Sequence, residues 1–304
     1  MDNSVVLSIC IPTYNRAECL KQCLTSIVTQ FADPSVGEKV EIIISDNGSQ
    51  DNTQNLIFEY QSHWPQIRYF RNPVNLGIDR NILNVVENAR GRFCWLLGDD
   101  DSLFKDALGY LLPLLEKETA HYFLANCWGY DRELKEQAVS WPNLRISQDE
   151  SYLKLSDFVK RIPDYRNMVG YFGGLSCQIF RRSDWVALPD KKSFIGSQAL
   201  HLYVILKAFK NLPAFVIAKP LVKTRADNMR WENFPGLETI TKRARATRES
   251  MVWILKLYEI PYSKTKLIFK YYGGIIYFWL VYLAKKTVFR SQKSRNLVKK
   301  VFKK

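Results

Sequence analysis

Apolar and polar residues alternate along the first hundred positions in blocks that predict strands and helices by turns. Short apolar runs of four to eight residues are typical of strands that are buried on both faces. Between these runs, apolar residues recur at spacings of three and four, which indicates helices with one buried face. The predicted strands are residues 5–12, 40–45, 67–70 and 93–98, and the predicted helices are residues 16–30, 51–61 and 79–91.

This order of elements predicts an α/β fold. Strands that alternate with helices form a mostly parallel, Rossmann-like sheet flanked by helices. Residues 121–131 and 175–182 are further predicted strands. Residues 170–175, which are rich in glycine and aromatic side chains, predict a loop that approaches a ligand closely. We expect most of the aromatic residues of this region to pack in the core, among them Trp128, Tyr130, Tyr171 and Phe172.

Polar and turn-forming residues follow all four predicted strands, where ligands bind in sheets of this kind. Turn chemistry accounts for the Pro, Asn and Gly residues, but not for Tyr14 or for three adjacent acids, Asp99, Asp100 and Asp101. Adjacent carboxylates repel one another, so they indicate a bound cation or full exposure to water. The four segments are PTYNR (12–16), DNGSQDN (46–52), NPVNLGIDRN (72–81) and GDDD (98–101).

Composition and charge divide the chain into a domain and an extension. The 304 residues are 47% hydrophobic, which indicates a folded chain. Of the net charge of +14, most lies in the last 45 residues, which hold twelve Lys or Arg and no Asp or Glu. We predict a domain over residues 1–235, with halves 1–103 and 104–235, followed by a helical, basic segment over residues 236–304.

The basic tail suits an anionic membrane surface, nucleic acid or simple solubility. The apolar stretch before it has 14 uncharged residues, 271–284, fewer than the ~20 that span a bilayer. It is typical of an interfacial segment with Lys and Arg anchors. Its aromatic residues precede the charges and are not interleaved with them, so we favour membrane contact and expect no nucleic-acid partner. A buried helix followed by a solvated tail is the alternative.

Cysteine usage and the first residues predict a cytoplasmic protein. The six cysteines show no paired zinc spacing, and most lie in apolar runs, so we expect reduced core thiols. The chain begins MDNSVVLSIC, with an acid directly before a predicted strand, so we expect no signal peptide.

The four strand-end segments, in this order and at these separations, resemble the nucleotide-sugar-binding half of family 2 glycosyltransferases of the GT-A fold. The resemblance is strong over about residues 5–110 and weak beyond them. It implies transfer of a sugar from a nucleoside-diphosphate sugar to a glycan acceptor. The GDDD form and the basic C-terminal segment are similar to bacterial hexosyl- or deoxyhexosyltransferases of O-antigen or other surface-polysaccharide assembly. This implies a lipid-linked acceptor and peripheral attachment to the inner face of the cell membrane.

The resemblance also implies roles for residues that follow the first two strands. Tyr14 would stack on the nucleobase, with Pro12 and Thr13 shaping its loop; the alternative is a tyrosine packed under a turn. Asp46 would accept hydrogen bonds from the base, or cap the next turn. The family often has a second acid after this one, whereas this chain has Asn47.

Further roles follow for the acids and for two arginines. Asp101 and Asp99 would bind Mg²⁺ or Mn²⁺ on the diphosphate, with Asp99 also near the ribose. The cation would neutralise charge on the departing nucleoside diphosphate. Asp100 is a further nucleotide-sugar candidate, because the register within three identical residues is open. Arg80 would approach the base or phosphates and Arg225 the diphosphate; for both, a solvated surface arginine is the alternative.

The resemblance implies an inverting transfer, which needs a base for the acceptor hydroxyl in the second half of the domain. The chain lacks the family's Glu-Asp pair there and offers Asp184, Asp190 and His201. Of these we retain Asp190 and His201 as catalytic candidates. An unperturbed histidine has a pKa near ~6.5 and suits a base, although a lone histidine in an apolar helix is more often a core residue.

Two other classes of protein remain as alternatives. A sugar-phosphate nucleotidylyltransferase also uses metal-binding acids, but a Gly-rich phosphate loop is expected near its N-terminus, and PTYNR has no glycine. A non-catalytic protein would use the basic tail to bind membranes or nucleic acid, with steep salt dependence in the second case.

Overall fold

The structure, a computed structural model, describes residues 5–139, 143–162, 165–225 and 253–259. The chain forms two compact units, residues 1–233 and 234–304. In the second unit, residues 253–257 are helical. The predicted basic tail and the apolar stretch before it lie outside the described residues, so their membrane role stays a prediction. Among the helices that are described, none combines the length and apolarity needed to cross a bilayer.

The N-terminal half of the first unit is a parallel sheet. All residues of its two central strands are buried, so both faces of the sheet are covered at this point. In space the strands stand in the order β3, β2, β1, β4. In the chain they are β1 Leu7–Thr13, β2 Val40–Asp46, β3 Ile67–Arg71 and β4 Phe93–Leu96.

Helices connect these strands, as the spacing of apolar residues predicts. The first helix buries Leu20, Leu24 and Ile27 on one face. A short extra helix begins at Pro34, where the carboxylate of Asp33 accepts a hydrogen bond from the Ser35 N–H. The four helices are α1 Ala17–Val28, α2 Pro34–Gly37, α3 Thr53–His63 and α4 Ile78–Glu87.

The second half of the unit extends the same sheet with mixed strand directions. Beyond β4 the order continues β8, β6, β9, β5, while β7 also pairs with β9. β8 is antiparallel to β4 and β6, and β9 is parallel to β6. The elements are β5 Ser102–Leu103, α5 Ala107–Glu116, β6 Tyr122–Tyr130, β7 Glu150–Tyr152, α6 Leu155–Arg161, α7 Tyr165–Gly173, β8 Gln178–Arg181, α8 Arg182–Ala187, α9 Leu200–Ala208 and β9 Ala214–Arg225.

The predicted α/β fold is confirmed, with two differences in the second half. Residues 170–175 were expected to form a loop, but α7 continues to Gly173 because Met168 and Phe172, four residues apart, are both buried on it. A 3-10 turn, Leu175–Cys177, then delays the start of β8 to Gln178. Of the expected core aromatics, Tyr130 and Phe172 are buried, whereas Trp128 and Tyr171 are half-buried.

Candidate active site

The carboxyl ends of β1, β2 and β4 meet at one edge of the sheet. Thr13 and Asp46, the last residues of β1 and β2, are register partners. The N–H of Leu97, directly after β4, donates to the carbonyl oxygen of Cys10 at 3.0 Å. The loop after β3 joins them, because the Leu76 N–H donates to Oδ1 of Asn47 at 2.9 Å. All four strand-end segments are therefore neighbours, as expected for a parallel sheet.

Asp99 is the buried member of the acid loop, Asp99–Asp101. Its Oδ2 accepts a hydrogen bond from the Thr13 hydroxyl at 2.7 Å, and its Oδ1 lies 3.1 Å from Nη1 of Arg16. The same Nη1 lies 2.9 Å from Oδ2 of Asp100. One guanidinium from the loop after β1 is thus shared between two of the three carboxylates.

Asp101 is held from the second half of the sheet. Its Oδ1 accepts a hydrogen bond from the Arg225 N–H at 3.0 Å, and its Oδ2 accepts one from the Ser176 hydroxyl. The Ser176 oxygen also accepts the Gly98 N–H at 2.9 Å. The side chain of Arg225 lies along the loop, with Nε 2.9 Å from the carbonyl oxygen of Asp100. The two halves of the domain therefore meet at Asp101.

Gly98 allows the loop to fold this tightly. A Cβ atom at this position would lie 3.0 Å from Oδ1 of Asp100, 3.2 Å from Oδ2 of Asp101 and 3.3 Å from the Ser176 hydroxyl. Any larger residue would push the carboxylates and Ser176 apart. The glycine before the acids is thus explained by close approach of side chains.

Burial, with repulsion from Asp100, disfavours the charged forms of Asp99 and Asp101. Burial raises the pKa of Asp99 to about 6, against the opposing charge of Arg16, and the Asp100 carboxylate adds to the rise. Burial, and after it the charge of Asp100, raises the pKa of Asp101 to about 7. A bound cation would stabilise the charged carboxylates and lower both pKa values.

The carboxylate oxygens of the acid loop fit a hard divalent cation that also binds the phosphate oxygens of a ligand. Within the described residues, no group of three or more His, Cys, Asp or Glu side chains is arranged to hold a metal ion. If a cation binds here, Asp99 and Asp101 would be the ligands from the protein, with phosphate oxygens and water as the others. Mg²⁺ and Mn²⁺ bind in this way.

The residues predicted around the nucleobase lie at the same edge of the sheet. Pro12 and Thr13 are the buried end of β1, and Tyr14 follows them with 40% of its surface exposed. Its ring is therefore open to a ligand and not packed under a turn. The stacking role stays a prediction.

Asp46 lies beneath its loop, not on its surface. Its side chain is fully buried, with Oδ1 accepting the Ser49 N–H at 2.8 Å and Oδ2 accepting the Tyr69 hydroxyl at 2.7 Å. Both oxygens are thus used to shape the strand end, as in the predicted alternative of a turn cap. Contact with a base would require these bonds to exchange.

Arg80 and its neighbour Asp79 point in opposite directions. Arg80 is exposed in the first turn of α4, and no described contact joins it to the acid loop. Asp79 is buried, and its carboxylate accepts the N–H groups of Gly196, Gln198 and Leu200 at 2.8, 2.9 and 3.2 Å. The acid of this pair therefore anchors the start of α9, a role that its sequence position does not indicate.

The structure does not bring the predicted bases to the acid loop. Asp190 lies at the surface, where it pairs with Lys207. His201 is buried in α9, with Nε2 3.0 Å from the carbonyl oxygen of Gly173, and burial lowers its pKa. A base must reach the acceptor hydroxyl. Because His201 is enclosed and Asp190 is held elsewhere, the geometry supports neither residue in this role.

A cavity of about 920 Å³ lies beside Asp101, and this size suits a ligand pocket. Its lining residues come from β6, β7, β9, α6, α7 and the 3-10 turn, and from the loops beside them. Three aromatic rings line it, with centroids 5.3 Å apart for Tyr152 and Phe158 and 6.3 Å apart for Phe158 and Tyr171. Apart from Asp101, Glu150 is the one acid among the described residues that line it.

Two residues of the site carried no predicted role. Arg16 lies in the PTYNR segment. A positively charged side chain at the end of β1, with acids at the end of β4, could have indicated the Arg16 ion pairs from the sequence. Ser176 is 75 residues from Asp101 in the chain, and nothing in its sequence context indicates the contact.

Residues 8–184 match the model of Glycosyl transferase family 2. This span is more than half of the chain and includes the four strand-end segments and Ser176. The chain therefore belongs to this family and is a glycosyltransferase, which confirms the resemblance. Family membership also sets aside the alternatives of a nucleotidylyltransferase and a non-catalytic binding protein.

Among known proteins, the chain is 36% identical over 270 residues to abequosyltransferase RfbV of Salmonella typhimurium, covering 86% of this chain and 76% of that protein. It is 29% identical over 213 residues to the GalNAc(5)-diNAcBac-PP-undecaprenol beta-1,3-glucosyltransferase of Campylobacter jejuni, covering 66% and 65%. Its structure matches that of S. aureus TarS 1–349 in complex with UDP-GlcNAc with a TM-score of 0.60 and 16% identity, covering 83% and 67%. The fold is therefore that of the GT-A glycosyltransferases.

Proposed function

We propose that the protein transfers a hexose or deoxyhexose from a nucleoside-diphosphate sugar to a hydroxyl of a lipid-linked glycan, in assembly of a bacterial surface polysaccharide of the O-antigen type. The observation that carries the proposal is the acid loop at the carboxyl end of parallel strands, directly beside the cavity at Asp101. The relatives support it, because one is named for abequose transfer and the other for an undecaprenol-linked acceptor.

The donor diphosphate is proposed to lie against the acid loop. Asp99 and Asp101 would hold Mg²⁺ or Mn²⁺ there, and the cation would neutralise the charge on the departing nucleoside diphosphate. Thr13 and Ser176 hold the two carboxylates in place before substrate arrives, so little reorganisation is needed. Arg16 presents a guanidinium at the same loop and is suited to pair with phosphate oxygens.

The acceptor is proposed to occupy the cavity beside Asp101, where the aromatic rings offer faces for sugar rings. Transfer needs a group that takes the proton from the attacking hydroxyl. The geometry favours Glu150 for this role, because this carboxylate lines the cavity, while Asp190 and His201 do not. The Tyr152 hydroxyl donates to Oε2 of Glu150 and orients it. With Glu150 as the base, the transfer is proposed to invert the configuration at the sugar carbon.

We place the enzyme at the cytoplasmic face of the cell membrane. Support comes from the sequence of residues 264–304, whose basic charge suits anionic lipid, and from the undecaprenol in the name of the Campylobacter relative. Deleting residues 264–304 should reduce sedimentation of the protein with anionic vesicles. Its sedimentation with neutral vesicles should not change. Equal sedimentation of both proteins would refute membrane attachment through the tail.

Calorimetric titration tests the donor site directly. The purified protein would be titrated with UDP, CDP, GDP and dTDP, each with Mn²⁺ and with EDTA. We expect one nucleotide to bind in Mn²⁺ and to lose most of its affinity in EDTA. Binding that is unaffected by EDTA would reject the metal, and absence of binding by all four would reject the donor site.

A further inference from the structure

Two cysteines face each other at the cavity beside Asp101. Cys127 lies on β6 and Cys177 ends the 3-10 turn before β8, and their sulfur atoms are 3.5 Å apart. They are 50 residues apart in the chain, so the sheet alone brings them together. Both line the cavity, although each side chain is nearly buried. Both residues are thus part of the cavity wall, and Cys127 is the less buried of the two.

The other four cysteines do not combine these properties. Cys10 and Cys94 also contact each other, but both are fully buried and neither lines the cavity. Cys23 is fully buried on α1, and Cys19 is half-exposed on the same helix. The chain thus contains one close thiol pair that is open to a cavity and one that is enclosed.

The hydrogen bond within the pair makes Cys127 the more reactive of the two thiols. The Cys177 thiol donates to the Cys127 sulfur, and this hydrogen bond lowers the pKa of Cys127 below that of an ordinary thiol. The thiolate is the nucleophile in thiol oxidation. A disulfide needs the sulfurs about 2.05 Å apart, so they must approach by roughly 1.5 Å.

We propose that Cys127 and Cys177 form an oxidation site on the acceptor cavity, at which a hydroperoxide produces a disulfide that lowers transferase activity. The Cys127 thiolate attacks one peroxide oxygen, giving a sulfenic acid and releasing the other oxygen as water or alcohol. The Cys177 sulfur then attacks the sulfenic sulfur, and a second water leaves with the Cys177 proton. In sum, two thiols and one hydroperoxide give one disulfide, one water, and one water or alcohol.

The disulfide acts on the reaction through Ser176, the residue before Cys177. The Ser176 hydroxyl bonds both Asp101 and the Gly98 N–H, and its carbonyl oxygen accepts the Trp95 Nε1–H at 2.8 Å. Drawing Cys177 toward Cys127 displaces this support of the acid loop and narrows the cavity. A displacement of about 1 Å at a reaction centre costs up to about 100-fold in rate. The effect on transfer rests on the proposed function, whereas disulfide formation does not.

The test uses the full-length reduced protein and hydrogen peroxide. After oxidation, free thiols are alkylated and the digest is mapped by mass spectrometry without reduction. We expect a cross-linked pair of peptides containing Cys127 and Cys177, and roughly a 10- to 100-fold loss of transfer activity. Adding dithiothreitol should remove the cross-link and restore the activity. In Cys127→Ala and Cys177→Ala variants, each measured against its own reduced form, peroxide should not lower transfer. Cys94→Ala, which removes the enclosed pair, should keep the wild-type response.

The outcomes separate the site from the proposed function. Three results would overturn the proposal. They are absence of the cross-linked Cys127–Cys177 peptide, preferential cross-linking of Cys10 to Cys94, and a loss of transfer activity in peroxide that dithiothreitol does not reverse. A fully formed disulfide with unchanged transfer would also overturn it. If the reduced protein transfers no sugar, the peptide map still decides the site, and Mn²⁺-dependent nucleotide binding before and after oxidation decides its effect on the acid loop.

Discussion

The acid loop and the cavity beside it are built in opposite ways. At the acid loop, short segments at strand ends bring charged side chains together, and hydrogen bonds from Thr13, Ser176 and Arg225 hold the carboxylates. The cavity is lined by residues from six elements, aromatic rings among them. The acid loop is therefore a preorganised, charged edge of the sheet, whereas the cavity offers shape and aromatic ring faces.

The two regions join at Ser176. Its hydroxyl supports Asp101 and Gly98, while the residue itself lines the cavity. A substitution that moves Ser176 from the cavity should therefore disturb the acid loop, and one in the acid loop should disturb the cavity. The proposed roles of the two regions, cation binding and acceptor binding, should therefore respond separately to substitution, except near Ser176 and Asp101, which belong to both.

The largest expected effect is at the acid loop. Asp101→Asn keeps the size of the side chain but removes one carboxylate of the proposed cation site, so we expect kcat/KM for transfer to fall by about 10³-fold. Nucleotide affinity in Mn²⁺ should fall with it, and the circular dichroism spectrum should stay unchanged. Asp106→Asn, at the N-cap of α5 without a side-chain cap bond, is the matched control. Equal activity of both variants would reject the role of Asp101.

A smaller effect is expected in the cavity. Glu150→Gln removes the proposed base but keeps its shape, so we expect kcat to fall by about 10²-fold while nucleotide affinity is unchanged. This split would separate the cavity from the acid loop. Asp190→Asn changes the surface acid that pairs with Lys207 and should leave kcat near the wild-type value. The reverse ranking of the two variants would return the base to Asp190.

The smallest effect is on stability and concerns His201, outside both regions. Burial lowers the pKa of His201, so the unfolded chain takes up a proton more readily than the folded one. The contribution of neutral His201 to stability is complete above about pH 6.5, the ordinary histidine pKa. It is lost as the pH falls toward the lower pKa of His201 in the folded protein.

His201→Gln should therefore lose less stability than the wild type between pH 8 and pH 5.5, measured by urea denaturation. His63→Gln, a change at an exposed position, is the control and should follow the wild type. Parallel loss in His201→Gln and wild type would show that this imidazole does not drive acid destabilisation.

The strand-end segments were readable from the sequence because each follows a buried run, and the parallel register places such ends together. Tyr14 and the acids lie where this rule expects them. Asp46 also lies at its strand end, but the rule does not indicate that the Tyr69 hydroxyl and the Ser49 N–H bond its carboxylate. The rule does not apply to Asp190 and His201, which were chosen from the family resemblance. In the folded protein Asp190 pairs with Lys207 at the surface and His201 is buried in α9.

Periodicity and turn residues act over a few neighbouring positions, so the order of strands and helices and the place of the acid loop follow from local sequence. Tertiary structure selects the groups that hold the acids. Ser176 and Arg225 reach Asp101 across 75 and 124 residues of chain. It also decided that Cys127 meets Cys177 and that Glu150 faces the cavity. Such contacts follow from strand order and helix packing in the whole sheet, which no local pattern encodes.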